Sequence, residues 1–196
     1  MQDHVIAGTT MTVRGAFYEK TDYQNLVVNG LERFCGGKRI KFLPPAIFKP
    51  KALWTGKQII TTIIQNLCNG SGPNFVGNCK MKDTEYIPPG VNPREWNKSR
   101  VIGCSLSESE LICRNGYLVS GYLDKSQVGA SKYSILAAIE ELFGGTTAGS
   151  VISSITHLLT HYLKCYRGFT LGIRDVVTKP TILSQRNSKT PNLYTL

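Results

Sequence analysis

The stretch Glu110-Leu111-Ile112-Cys113-Arg114-Asn115-Gly116-Tyr117-Leu118-Val119-Ser120-Gly121-Tyr122-Leu123 sets the fold class. Asn115-Gly116 is the strongest short hairpin signal, because a tight primed turn needs two consecutive residues that tolerate positive φ. It separates Leu111-Ile112-Cys113 from Tyr117-Leu118-Val119, so two antiparallel strands are predicted. Past residue 123 the apolar period lengthens. From Ser131, the residues Ile135, Leu136, Ile139, Leu142 and Phe143 predict a helix closed by Gly144-Gly145. A longer helix follows from about Thr147 to Arg167, with Gly168 as its stop. Its stripe of Val151, Ile155, Leu158, Leu159 and Tyr162 needs a partner to cover it. A hairpin followed by helices gives an α+β chain with small β elements and several helices.

Upstream, residues 1–30 read as two helical pieces. Thr21 is placed to cap the second and Gly30 to stop it. Residues 31–43 are basic and contain glycine, which predicts a surface loop. Pro44, Pro45 and Pro50 force extended backbone through Ala46-Ile47-Phe48. Thr55-Gly56-Lys57-Gln58 has the T-x-x-Q form of a capping box and predicts a short helix through Ile59-Ile60-Thr61-Thr62-Ile63-Ile64, against the strand preference of its β-branched residues. Residues 69–100, with four prolines and four glycines, predict a mobile surface excursion. The polar segment 181–196 predicts a frayed tail.

Lys and Arg number 23 against 13 Asp and Glu, a formal charge of +10. That surplus suits nucleic acid, nucleotides or an acidic partner, since neutralising phosphates releases counterions. Hydrophobic residues at 41% and charged residues at 18% argue for a globular chain. Cys35, Cys68, Cys79, Cys104, Cys113 and Cys165 show no C-x-x-C and no paired spacing, which argues against a local zinc site. Met1-Gln2-Asp3-His4 opens no secretory apolar segment, so reduced thiols in an intracellular protein are expected. No apolar run approaches the ~18 residues that span a bilayer.

Catalytic motifs are scarce. His157 and His161 stand at i and i+4, the spacing of two zinc ligands, but Leu158 occupies the position of the glutamate in the protease motif and no third ligand is nearby. Gly56-Lys57 fails as a phosphate-binding loop, since Lys51 and Gln58 stand where glycine and Ser/Thr are required. A helix N-terminus at Thr55 with Lys57 beside it would still attract an anion, or carry only a solvated lysine. Between hairpin and helix, Lys125 and Lys132 flank Gly129-Ala130-Ser131, either a phosphate-attracting rim or an ordinary basic loop. No local acid–base or nucleophilic constellation stands out.

Four blocks, in one order, resemble the largest subunit of the multisubunit DNA-directed RNA polymerases. They are Gln2-Asp3-His4 with Met11-Thr12, then Leu43-Pro44-Pro45-Ala46-Ile47 with Leu53-Trp54-Thr55-Gly56-Lys57-Gln58-Ile59-Ile60, then Gly121-Tyr122-Leu123-Asp124-Lys125-Ser126-Gln127 with Gly129-Ala130-Ser131-Lys132-Tyr133, and finally Tyr166-Arg167-Gly168-Phe169-Thr170-Leu171-Gly172-Ile173-Arg174-Asp175. The wording of the third block is most similar to RNA polymerase I. The resemblance covers roughly 1–60 and 111–180 and implies a piece, residues 1–180, of the pore domain of a larger multidomain subunit, with 69–110 a variable excursion and 181–196 a polar, disordered tail. That domain walls the channel where nucleotides enter and backtracked RNA leaves during rRNA transcription. It implies pore-facing contacts to nucleotide or nucleic acid from Lys125, Lys132 and Lys57. The implied magnesium is held by aspartates outside this chain, so the piece alone is expected to be inactive. The implied partners are the second-largest and other polymerase subunits, DNA template, RNA and nucleoside triphosphates; the implied location is the nucleus and nucleolus. A stand-alone basic nucleic-acid-binding module is the alternative reading.

Overall fold

The computed structural model describes residues 2–34, 36–37, 39–81, 108–129, 131–168, 170, 172–177 and 182. In chain order these form α1 (Gln2–Thr12), β1 (Phe17–Tyr18), α2 (Lys20–Leu31), β2 (Trp54–Thr55), α3 (Gly56–Leu67), β3 (Phe75–Asn78), β4 (Glu110–Arg114), β5 (Tyr117–Ser120), α4 (Lys125–Val128), α5 (Ile135–Phe143), α6 (Gly145–Cys165) and α7 (Ile173–Val176). The α+β expectation holds.

The hairpin forms as its turn chemistry requires. Asn115 and Gly116 take φ of 49° and 79°, and Arg114 pairs with Tyr117 across them. A third strand joins the other side: β3 pairs antiparallel with β4, Val76 opposite Ile112. Residues 75–78 lie in the segment expected to be a surface excursion. Alternation over four residues is too short to stand out among glycines, and the partner strand is distant in sequence. The remainder of that excursion, 82–107, lies outside the described residues, as does the polar tail apart from residue 182.

Helix α6 is the hub, packing against α1, α2, α3 and α5. Its predicted stripe of Val151, Ile155, Leu158, Leu159 and Tyr162 is buried throughout. Burial at that scale contributes roughly 1.5–3 kcal/mol per large side chain. Gly30 does not stop α2: the helix runs on to Leu31, and Gly30 lies buried against α6. A Cβ at Gly30 would come within 3.1 Å of Ile63 and 3.4 Å of Leu158, and its carbonyl accepts from Ser154 Oγ at 2.8 Å. Helix contact, not helix termination, explains this glycine. Thr21 does not cap either, for α2 begins after Glu19 with no side-chain cap. Similarly α5 starts at Ile135, four residues later than a start at Ser131, and is capped by Ser134, whose Oγ accepts from Ala137 N at 3.2 Å.

The block around Trp54 is a lock on the proline-rich loop. The capping box forms in full: Thr55 Oγ1 accepts from Gln58 N and Gln58 Oε1 from Thr55 N. Gln58 Nε2 also donates to Pro44 O at 3.0 Å, and Trp54 Nε1 to Leu43 O at 2.9 Å. Trp54 stacks on Tyr23 with centroids 5.1 Å apart, while the Tyr23 hydroxyl accepts from Leu43 N. Gly56 is required by close approach, since a Cβ there would lie 1.8 Å from Met11 O. The glycine of the T-G-K-Q block therefore admits the C-terminal end of α1.

Candidate functional site

Leu123 ends the strand region buried, its N–H donating to Thr12 Oγ1 of α1 at 3.0 Å. The chain then turns into α4 through Asp124, which is buried and serves as the helix N-cap. Its Oδ1 accepts from Ser126 N at 2.9 Å, and its Oδ2 from Lys80 N at 2.5 Å and Met81 N at 3.4 Å. One carboxylate thus satisfies a helix start and the chain leaving β3. Gln127, fully buried, donates to Asn78 O at 3.2 Å and accepts from Ile135 N at 3.2 Å, stitching β3, α4 and α5 together. Gly129 N returns to Lys125 O, and Ser131 N to Gly129 O.

The result is a corner with a rigid interior and a basic exterior. Lys125 and Lys132 are both exposed on it, as is Tyr133. Lys132 Nζ stands over the Tyr133 ring, 5.9 Å from its centroid. No ion pair to either lysine occurs among the described residues. The stretch expected as a loop between hairpin and helix is in part the short helix α4, because Asp124 supplies a cap. Asp124, adjacent to Lys125, turns its carboxylate toward backbone amides.

Lys57 sits differently. Its side chain is only 12% exposed and pairs with Glu108, whose side chain is 5% exposed; Arg14 Nη2 lies 3.3 Å from the other Glu108 oxygen. Burial pushes the Lys57 ammonium below its ordinary pKa, and the Glu108 carboxylate offsets part of that shift. The three charges lie along a cleft of about 260 Å³ lined also by Phe17, Thr55 and Val119. The anion at the start of α3 is thus the chain's own Glu108. Neither Glu108 nor Arg14, 51 and 43 residues from Lys57, is legible in the sequence as a member of this cluster.

Nearby, burial raises the Cys79 thiol to about 11 from 9.0, as it does Cys113. Such thiols are poor nucleophiles. His157 packs near Phe34 and His161 near Tyr166, each with an aromatic neighbour of its own. Among the described residues no three His, Cys, Asp or Glu side chains are grouped to hold a metal ion, so they offer no ligand set for the expected magnesium. Among the described residues no helix is long and apolar enough to cross a membrane.

A family model, RNA polymerase Rpb1, domain 3, matches residues 1–176. The chain belongs to that family. Within it, the chain is 39% identical over 186 residues to DNA-directed RNA polymerase I subunit RPA1 of Drosophila melanogaster, covering 90% of this chain and 11% of that protein. It is 36% identical to the polymerase I subunit RPA190 of Saccharomyces cerevisiae over 90% of this chain and 10% of that one. The polymerase III subunit RPC1 of the same yeast is also similar, at 29% over 181 residues, with 89% of this chain and 11% of that protein covered. The chain spans about a tenth of the length of these curated relatives. Three of the sequence blocks that carry the Rpb1 domain 3 resemblance have structural work in this chain: the Trp54 block locks a loop, the Asp124 block builds a corner, and His4 Nε2 bonds Thr160 Oγ1 of α6 at 2.9 Å.

Proposed function

We propose that this chain is a piece of an RNA polymerase I largest subunit, and that it walls the channel through which nucleoside triphosphates enter and backtracked RNA leaves. The observation that carries the reading is the basic corner: Lys125 and Lys132 exposed and without an ion-pair partner among the described residues, on backbone bonded to Asp124 and Gln127. Family membership and the identities to polymerase I subunits support it. The chemistry of the corner is attraction of phosphate. Each lysine contributes a solvent-screened contact of ~1 kcal/mol or less, weakened by salt. Transfer of a nucleotide to the RNA 3′ hydroxyl belongs to the assembled enzyme, whose magnesium is held outside the described residues. The second-largest subunit, template and RNA are the partners this role requires, in the nucleus and nucleolus.

Lys57, a sequence candidate for the same surface, takes the structural side of this division, since its charge is occupied by Glu108. The test is Lys125→Ala in the whole polymerase. Elongation and pausing are compared at low and moderate salt, beside subunit assembly. The expected result is normal assembly with altered nucleotide dependence or shorter retention of backtracked RNA, the difference shrinking as salt rises. Defective assembly with normal elongation and backtracking in the assembled fraction would make Lys125 structural and overturn the reading.

A further inference from the structure

Tyr133 is 79% exposed, yet the backbone on either side of it is hydrogen-bonded. The next residue, Ser134, is buried as the cap of α5, and Ile135 is buried with its N–H on Gln127 Oε1. On the other side, the Ser131 and Gly129 amides bond back toward α4. The ring therefore projects from a hydrogen-bonded base and is largely uncovered by the described residues. Lys132 Nζ stands over the ring, 5.9 Å from its centroid, and most of the side chain is exposed. An exposed aromatic ring, a cation over it and a second cation one short helix away are the components of single-strand recognition. Bases stack on rings while ammonium groups track the phosphates.

We infer that Tyr133 is a stacking platform for an unpaired base of RNA, working beside the phosphate contacts of Lys125 and Lys132. The proposal rests on the channel-wall reading and extends it from charge to base. Stacking differs from phosphate attraction in two measurable ways: it needs the base, and it is insensitive to salt. A triphosphate held by the lysines alone would require neither.

The experiment uses the whole polymerase on nucleic-acid scaffolds whose synthetic RNA ends in an unpaired 3′ segment, either with bases or abasic. The lifetime of the extruded 3′ segment is measured for the wild type, Tyr133→Ala, Tyr133→Phe and Lys125→Ala. Expected is a loss of about 5-fold or more for Tyr133→Ala with the normal RNA, little change for Tyr133→Phe, and no difference between the two variants and wild type on abasic RNA. The Tyr133→Ala effect should persist as salt rises. A Tyr133→Ala enzyme equal to wild type, or one whose defect is the same on abasic RNA, overturns the proposal. Loss of subunit assembly in Tyr133→Ala but not in Tyr133→Phe also overturns it, by making the ring a protein contact. A salt-dependent defect of Lys125→Ala that survives any of these results leaves the channel-wall reading intact, so the two can fail separately.

Discussion

Lys57 and Lys125 stand in similar local sequence, each a lysine just inside a capped helix start and each within a block that resembles a polymerase motif. Thr55 caps the first and Asp124 the second. Their fates diverge. The Lys57 ammonium is drawn into a partly buried cluster with Glu108 and Arg14, while Lys125 remains exposed because its neighbouring carboxylate is consumed by backbone amides. What separates a structural lysine from a candidate ligand lysine is where the nearest carboxylate points. Burial then fixes the energetic stakes: a charge out of water is costly unless paired, whereas an exposed one is nearly neutral to the fold.

The sharpest way to break this comparison is Lys57→Met, which keeps the bulk and removes the charge. Glu108 would be left buried with only the half-exposed Arg14, so a loss of about 3 kcal/mol is expected, read as a lower denaturant midpoint. The double variant Lys57→Met with Glu108→Gln should recover part of that loss. If the single variant is as stable as wild type, the cluster is not structural.

Next in size is Asp124→Ala. It orphans the amides of Ser126, Lys80 and Met81, and about 2 kcal/mol is expected from the lost cap and buried acceptor. An unchanged thermal midpoint would mean that the corner is not held as described, and that Lys125 is not rigidly presented.

Alkaline titration separates the buried groups. Lys57 has a lowered native pKa, so between that value and its unfolded 10.5 the unfolded chain holds the extra proton and its contribution to stability rises with pH. Cys79 and Cys113, raised to about 11 from 9.0, act oppositely: their contribution is complete below pH 9 and is lost as pH climbs toward 11. Lys57→Met removes the opposing contribution, so the stability gap between wild type and variant should widen as pH rises toward 10.5. A gap that narrows would contradict the burial of Lys57.

The smallest expected effect on the fold is that of Lys125→Ala or Lys132→Ala, within about 0.5 kcal/mol in thermal melts. A large loss in either would move that lysine to the structural side of the comparison.

Local chemistry carried well from sequence to structure. The Asn115-Gly116 turn, the Thr55–Gln58 capping box and the stripe on α6 are each written within a few to a dozen neighbouring residues, and each formed. Composition gave the basic surplus, and the motif blocks gave the family. Failures came where a residue answered to a distant partner. Gly30 reads as a stop only if nothing packs on it; β3 has no signal until β4 is beside it; Ser131 looks as good a cap as Ser134 until Gln127 fixes the N–H of Ile135.

The sequence by itself determined that α3, α5 and α6 form, the hairpin and the family, because turn dihedrals, capping and apolar period are properties of neighbouring residues. Only the tertiary structure decided which lysines are available. It brought Glu108 and Arg14 into one cluster with Lys57 across 51 and 43 residues, and turned Asp124 inward onto the amides of residues 80 and 81. The cause is physical: desolvation and pairing depend on distance in space, and spacing along the chain does not encode it.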